Sequence, residues 1–452
     1  MIDVGTEPTA SSLQQLTAYM DANENCGGCC GEIIVRDVPW HNIVLGAQWF
    51  EYRMSHLLIK TFESAMGYIS VLPGAFSVYR WEALSRSACT TVDGPESSVL
   101  HTYFKPFTDP DRLTWRESNI YQLAEDRVMS EEIVKFRPTD LAQPQYYTLQ
   151  FLKSAKALTE GQPDLISLLN QRRRWINGSW FALLQVVDQC LCWSVMRTKR
   201  TIGRKVLMLV EYVYLIVTLL LTWLGVGLYY SGYASIMRRL FERLDVGWAE
   251  WMLNSCYLFF VAATYLMALS TRADAIAGFW VAASIFHSII ALFSCASGIY
   301  VIYYGYLFAT TLTQIYVAVI VGVMSLAVLI YCEDLRKMFV FSLWYSLMTP
   351  TYINVLMVFA LCRTDDLTWG TRGNSANSST KDLYSAQKTK YLVLYATCNF
   401  LGAAVVRQMD AGTGNDNIEY LYLVGAMLMV VPFVGEVGYH VALVGQRCRQ
   451  AS

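Results

Sequence analysis

The stretch VLMLVEYVYLIVTLLLTWLGVGLYY, residues 206–230, divides the 452-residue chain into two regions of different character. It is apolar over more than the roughly 20 residues that a transmembrane helix needs, and Glu211 is its one charged residue. The sequence before it is mostly polar, and the sequence after it contains most of the other long apolar runs. In the whole chain 54% of residues are hydrophobic and 16% are charged, against about 25% charged in soluble domains. We therefore expect a membrane protein with a polar N-terminal domain.

The region 206–444 is predicted to be an all-α bundle with six spans. Beyond the first span, the apolar segments are 251–270, 276–298, 310–332, 391–406 and 420–444. A seventh segment, 339–361, contains Pro350 and has basic residues on both sides. Because positive charge tends to stay cytoplasmic, we expect this segment to be interfacial or re-entrant, with both chain termini in the cytosol.

Residues 1–200 are predicted to form a cytosolic α/β domain with interfacial helices at its C-terminal end. The basic run at 197–205 keeps this region on the cytoplasmic side. Helical spacing of apolar residues predicts one or two helices over 41–66, and short β-rich pieces occur in 33–38 and 67–81. For the cluster CGGCCGE, residues 26–32, we expect a glycine-rich turn rather than zinc ligands, because no second Cys/His pair has suitable spacing.

Two acidic positions are candidates for chemistry. Asp3, in DVGT, is typical of the end of a strand, where α/β proteins hold ligands; it is a candidate for binding Mg²⁺ or Mn²⁺, or an ordinary turn residue. Glu125 and Asp126 lie where a loop is predicted to lead into a helix. Asp126 suits a general base that removes a proton from a sugar hydroxyl, and aspartate is also a favoured helix N-cap.

The sequence QRRRW, residues 171–175, is more unusual. Arginines close to a membrane bind lipid headgroups, but Gln171, Arg172, Arg173 and Arg174 would also suit a departing diphosphate. Trp175 offers a flat apolar face for a sugar ring. The Asn177–Gly178 pair that follows predicts a turn. Two carboxylate sites followed by arginines and a tryptophan are what an inverting transfer from a nucleotide-sugar needs.

Over most of residues 3–373 the sequence resembles chitin synthases, which are processive, inverting family 2 glycosyltransferases of the GT-A type. The resemblance lies in DVGTEP (3–8), CGEI (30–33), AQWFEYRMSH (47–56), GYISVLPGAFSVYRW (67–81), LAEDR (123–127), QRRRWINGSW (171–180) and the segment 350–373. In this family the strands that hold uracil and ribose precede DVGT. The resemblance therefore implies further sequence upstream of Met1 and a partial GT-A domain here.

The resemblance also implies roles for individual residues. Asp3 would bind the metal, Asp126 with Glu125 would form the catalytic site, and residues 171–174 would face the diphosphate. The acceptor side would comprise Trp175 and a loop near the channel mouth formed by Pro73, Gly74 and Ala75. Trp369, Gly370 and Thr371 fall in a cytosolic loop, here TWGTRG where the family has SWGTKG.

We therefore expect a plasma-membrane chitin synthase that adds N-acetylglucosamine from UDP-GlcNAc to the 4-hydroxyl of a growing β-1,4-linked chain and extrudes that chain. The alternative is a truncated or degenerate copy that acts as a non-catalytic membrane subunit. The expected partners are UDP-GlcNAc, the chitin chain and membrane lipids. By analogy with the family we also expect a homodimer. We do not expect the protein to bind nucleic acid.

Overall fold

The structure is a computed structural model of the chain. It describes residues 1–85, 98–108, 113–135, 147–188, 201–303, 322, 334–368, 378–412 and 432. Apart from residues 322 and 432, the predicted spans 310–332 and 420–444 lie outside these residues, as do Trp369, Gly370 and Thr371.

The N-terminal domain is built on a mixed four-stranded sheet in the order β1-β4-β2-β3. Central strand β2 runs parallel to β4 and antiparallel to β3, and β1 pairs with the outer side of β4 in the antiparallel direction. The strands are β1 (Glu7–Pro8), β2 (Cys26–Val35), β3 (Ser77–Tyr79) and β4 (Thr148–Thr159). The prediction of an α/β domain is therefore correct.

The turn predicted for CGGCCGE is wrong, because these residues form the first part of β2. The strand is buried along almost its full length, and its glycines allow neighbouring elements to approach closely. A Cβ at Gly27 would lie 2.6 Å from the Ile133 side chain, and a Cβ at Gly31 would lie 2.3 Å from the carbonyl oxygen of Ala155. Small residues are thus a packing requirement of a covered strand, and not the sign of a turn.

Helices surround this sheet and lead to the candidate site. The stretch predicted to be helical over 41–66 is one continuous helix, in which a π-helical turn, Ser55–Lys60, joins the α-helical parts Ile43–Met54 and Thr61–Met66. The helices are α1 (Ser12–Ala22), α2 (Ile43–Met54), α3 (Thr61–Met66), α4 (Trp81–Ser85), α5 (Val99–Thr108), α6 (Trp115–Leu123), α7 (Glu125–Lys135) and α8 (Leu165–Asp188).

In the described residues of the second region, every regular secondary-structure element is helical. Its helices are α9 (Ile202–Trp223), α10 (Gly225–Leu244), α11 (Gly247–Ser270), α12 (Ala277–Tyr303), α13 (Leu335–Thr351), α14 (Val358–Leu361) and α15 (Ser378–Gly412). Five described helical segments are long and apolar enough to cross a membrane. They are Ile202–Trp223, Gly247–Ser270, Ala273–Tyr300, Leu335–Leu361 and Asp382–Gln408.

The first predicted span, residues 206–230, is interrupted in the structure. Helix α9 ends at Trp223, and α10 begins two residues later, so residues 206–230 do not form one helix. Asn399 of α15 stabilises this break. Its side-chain amide donates to the carbonyl oxygen of Trp223 at 2.8 Å, and its Oδ1 accepts from the backbone amide of Gly227 at 2.8 Å. The side chain thereby satisfies backbone groups that a helix end leaves unpaired.

The segment Leu335–Leu361 differs from the other candidate spans, because 56% of its most apolar window is buried, against 22–28% for the other four. Near its start, Trp344 donates to the carbonyl oxygen of Trp40 at 3.0 Å. Near its end, the carbonyl oxygen of Ala360 accepts from Asn177 at 2.9 Å. Both ends thus contact the N-terminal domain. These contacts favour the predicted interfacial placement, which stays a prediction.

Candidate active site

Asp126 lies at the start of α7, beside the predicted acceptor loop. The helix begins at Glu125, so Asp126 belongs to its first turn, and the expectation that it caps the helix is wrong. Its Oδ1 accepts from the backbone amide of Arg127 at 2.8 Å, and its Oδ2 accepts from that of Gly74 at 3.5 Å. Burial raises the pKa of Asp126 above the ordinary aspartate value, despite the opposing charge of Arg127. A carboxylate with a raised pKa is suited to accept a proton.

The loop of Pro73, Gly74 and Ala75 lies between the two acidic sites. On one side, the backbone amide of Leu72 donates to Ser130 Oγ at 2.9 Å, and Ser130 donates in turn to the carbonyl oxygen of Asp126 at 2.9 Å. On the other side, the carbonyl oxygen of Ala75 accepts from the backbone amide of Asp3 at 3.3 Å. The structure therefore brings Asp3, this loop and Asp126 together. Their separate roles stay predictions.

Asp3 is exposed on this side of the domain. In the part of the chain that the structure describes, no three His, Cys, Asp or Glu side chains are grouped as a metal site. Magnesium usually keeps several waters and binds proteins through one or two carboxylates together with substrate phosphates. An exposed single carboxylate fits a metal that arrives with a diphosphate.

The QRRRW sequence lies within α8, which continues without interruption to Asp188. The turn predicted at Asn177–Gly178 is therefore wrong. A Cβ at Gly178 would lie 2.8 Å from the carbonyl oxygen of Leu123 and 2.8 Å from the Cβ of Ala124. Glycine here lets α8 pack directly against the residues that precede Glu125 and Asp126. The pair serves the close approach of two helices, which a local sequence pattern does not distinguish from a turn.

The helical conformation places the three arginines on two faces of α8, with Arg172 apart from Arg173 and Arg174. Arg172 and Trp175 are three residues apart and share one face. Arg172 is buried, and its guanidinium forms two hydrogen bonds to the carboxylate of Glu51 in α2, at 2.6 and 2.7 Å. The same guanidinium lies 4.7 Å from the centroid of the Trp175 ring. Trp175 is 39% exposed, and the ring of Tyr52 lies 6.1 Å from its own.

Asn170, Arg173 and Arg174 share another face and line a cavity of about 300 Å³. Arg173 forms an ion pair with Asp366 at 2.9 Å and donates to the carbonyl oxygen of Thr368 at 3.0 Å. The cavity is lined further by Arg272, Ala273, Asp274, Phe359 and Arg363. Four arginines against two aspartates give it a positive character suited to phosphate groups.

Arg174 connects this cavity with the Asp126 junction. Partial burial lowers the pKa of Arg174, and the negative charge of Glu125 opposes that shift. Glu125 and Arg174 therefore interact across the junction of α7 and α8. Gln171, which precedes the arginines, has a buried side-chain oxygen to which the structure gives no hydrogen-bond donor. The structure thus brings Arg173, Arg174 and Glu125 into one region, and Gln171 does not line the cavity.

The predicted site set lacks Glu51, Asp366 and Glu32. Glu51 and Asp366 pair with Arg172 and Arg173, and Glu32 forms a buried ion pair with Arg53. Glu51 and Arg53 both lie in WFEYR, and Glu32 lies in CGE, so the recurrence of these short motifs was the available signal. The pairing itself joins residues that are distant in the sequence.

The N-terminal domain also matches a described protein family. A family profile described as a chitin synthase-like glycosyltransferase domain matches residues 1–190, which include both acidic sites and the QRRRW sequence. Residues 1–190 therefore belong to the chitin synthase-like glycosyltransferase family. The family resemblance expected from the sequence is confirmed, and the small mixed sheet with its helices is the described part of the glycosyltransferase domain.

Individual chitin synthases extend the similarity beyond that domain. The chain is 31% identical to chitin synthase A of Ampelomyces quisqualis over 403 residues, or 83% of this chain and 42% of that protein. It is 32% identical to chitin synthase I of Metarhizium acridum over 405 residues, or 83% and 43%. Chitin synthase 2 of Rhizopus oligosporus is 29% identical over 425 residues, or 86% and 47%. The chain spans less than half the length of these chitin synthases.

Proposed function

We propose that the chain transfers N-acetylglucosamine from UDP-GlcNAc to the 4-hydroxyl of a growing β-1,4-linked chitin chain. The observation that carries this proposal is the hydrogen bond from Gly74 to Asp126, beside Ala124, against which Gly178 of the arginine-bearing helix α8 packs. The proposed site combines a candidate base and an acceptor loop of the chitin synthase-like domain with a basic cavity between α8 and the helical region.

In the proposed reaction the acceptor hydroxyl oxygen bonds to the anomeric carbon of the donor sugar. The bond from that carbon to the diphosphate oxygen breaks, and its electron pair leaves with UDP. Asp126 takes the hydroxyl proton, because its raised pKa makes it an effective acceptor. Glu125 lies close enough to Arg174 for its charge to act on that guanidinium, and it helps to hold the guanidinium in the site.

The diphosphate is proposed to bind where Arg173 and Arg174 line the basic cavity, with Gln171 just before them in α8. Guanidinium groups donate paired hydrogen bonds that match phosphate oxygens. Asp3 would hold Mg²⁺ or Mn²⁺, which would neutralise charge on the departing diphosphate. Arg172, predicted for the same task, has its hydrogen bonds directed to Glu51 instead.

On the acceptor side, Trp175 is proposed to carry the receiving sugar, beside the loop of Pro73, Gly74 and Ala75. The growing chain then leaves through the helical region, in a plasma membrane with both chain termini in the cytosol. Lipids cover the exposed apolar side chains of the spanning helices. We also propose that the chain forms a homodimer. The residues Trp369, Gly370 and Thr371 are proposed to lie in a cytosolic loop.

The test is the incorporation of radiolabelled N-acetylglucosamine by membranes that contain the chain. We expect label in a polymer that chitinase digests. Trp175→Ala should reduce it by about two- to thirteenfold, because stacking on one aromatic face contributes about 0.5–1.5 kcal/mol. Trp251→Ala, at an exposed position in α11, is the matched control and should retain incorporation. A wild-type chain that binds the membrane but incorporates no label would favour the non-catalytic subunit instead.

A further inference from the structure

Glu51 is an acidic residue beside the candidate site for which the proposed reaction gives no task. It lies in α2, and its two carboxylate oxygens accept from the two terminal nitrogens of Arg172 at 2.6 and 2.7 Å. Two parallel hydrogen bonds between a guanidinium and a carboxylate fix the plane and the direction of both groups. The contact joins residues that are 121 positions apart in the sequence.

Arg172 is held by Glu51 in a place where its charge acts on aromatic rings. Its guanidinium carbon lies 4.7 Å from the ring centroid of Trp175 and 5.7 Å from that of Tyr352. A cation at such a distance from an aromatic face is attracted by the ring, and more strongly when it is shielded from water. The Arg172 side chain is only 9% exposed, so this attraction is well shielded.

Helix α2 contacts the same tryptophan with the next residue along. Tyr52 follows Glu51, and its ring centroid lies 6.1 Å from that of Trp175. Glu51 therefore acts on Trp175 through Arg172, while the Tyr52 ring restricts the movement of the Trp175 ring directly. Since Trp175 remains 39% exposed, these contacts restrain the ring and leave part of it accessible.

We propose that Glu51 is a positioning residue for the acceptor sugar, which through the bidentate pair with Arg172 sets the orientation of the Trp175 ring. This inference rests on the proposed function, since it deepens the acceptor role given to Trp175. The proposal also gives different roles to the three arginines of α8. Arg172 orients the acceptor platform, and Arg173 and Arg174 face the cavity for the diphosphate.

The experiment compares Glu51→Gln, Arg172→Gln and the double variant in purified chain. Glu51→Gln removes the charge and one acceptor oxygen while keeping the size of the side chain. We expect the acceptor concentration for half-maximal rate, with an N-acetylglucosamine oligomer, to rise about tenfold, as for the loss of one charge-assisted hydrogen bond. The half-saturating UDP-GlcNAc concentration should change less than about twofold, because, in the part of the chain that the structure describes, Glu51 makes no contact with the residues proposed to bind the donor.

Two further comparisons separate positioning from general stability. Glu160→Gln breaks an exposed ion pair with Arg36, at 2.6 Å, and is the matched control with unchanged kinetics. Glu51→Asp keeps the charge and should recover part of the acceptor affinity at a similar Tm. Arg172→Gln should give the same shift as Glu51→Gln, and the double variant should be no worse than either. Effects that multiply in the double variant, or a rise in the UDP-GlcNAc requirement, would overturn the proposal.

Direct binding distinguishes this inference from the proposed function. Binding of the N-acetylglucosamine oligomer to the purified chain is measured without donor, so it needs no turnover. If the wild type binds the oligomer about tenfold more tightly than Glu51→Gln, Glu51 positions the platform even where no polymer forms. Equal binding by the two overturns the positioning role, whatever the outcome of the incorporation assay.

Discussion

The Oδ2 oxygen of Asp126 lies 3.5 Å from the backbone nitrogen of Gly74 and accepts a hydrogen bond from it. Burial raises the pKa of Asp126 in this position. A base must be ionised to accept a proton, so activity should fall as the pH drops through this raised pKa. We expect the acidic limb of the initial rate, measured at saturating UDP-GlcNAc, to lie above the ordinary aspartate pKa of about 3.9. An acidic limb at or below that value would contradict the assignment.

The same burial makes a prediction about stability. An acid whose pKa is raised by folding destabilises the native state while it is ionised, that is, at pH values above its folded pKa. Asp126→Asn removes this charge and keeps an oxygen that can accept from Gly74 or Arg127. At neutral pH we expect the Tm of the variant to equal or exceed that of the wild type. A clearly lower Tm would mean that the carboxylate stabilises the fold.

Gly178 should be intolerant of a larger side chain. In Gly178→Ala the new Cβ would lie 2.8 Å from the carbonyl oxygen of Leu123, so α8 must move away from the start of α7. Overpacking of this kind costs about 1–3 kcal/mol. Thermal unfolding should show a lower Tm, together with reduced polymer formation. Gly278→Ala is the control in another helix, where a Cβ would meet nothing within 4 Å, and its Tm should not fall.

The ion pair of Glu32 and Arg53 is buried, with side chains 0% and 7% exposed. Arg53→Met leaves the Glu32 carboxylate in the interior with only the more distant charges of Lys156, at 4.0 Å, and Lys153 close to it among the described residues. Removing one partner of such a pair costs about 3–5 kcal/mol. The double variant Glu32→Gln, Arg53→Met should recover much of that loss, as measured by chemical denaturation. Strictly additive losses would show that the two side chains do not depend on each other.

The interfacial placement of Leu335–Leu361 can be tested by thiol labelling in a cysteine-free background. Lys337→Cys and Thr368→Cys lie near the two ends of this segment, and both wild-type side chains are accessible. If the segment does not cross, a membrane-impermeant reagent should label both positions in inside-out vesicles. Labelling of the two from opposite sides would make this segment a span.

Features that depend on local sequence were predicted well, and those that depend on distant contacts were not. Apolar runs and helical spacing are local, so the helix over 41–66 and the helical second region were predictable. The glycines of β2 and Gly178 suggested turns because the elements packed against them lie far along the chain.

The candidate site shows the same division. The composition of QRRRW indicated phosphate chemistry, but the helix gives its arginines different neighbours. The partners of Arg172 and Arg173 lie 121 and 193 positions away, at Glu51 and Asp366. No periodicity in the sequence reports such a pairing, whereas the motifs of the family do mark the residues that take part.

The central claim is that Asp126 is the base of a chitin-forming transfer, and polymer formation by Asp126→Asn tests it most directly. Membranes with equal amounts of each protein receive radiolabelled UDP-GlcNAc, and the chitinase-sensitive product is counted. We predict that the variant loses about 10²–10⁴-fold in rate, while Asp21→Asn, at an exposed position in α1, retains the wild-type rate. Chitinase-sensitive polymer formed by Asp126→Asn at the wild-type rate would contradict the account.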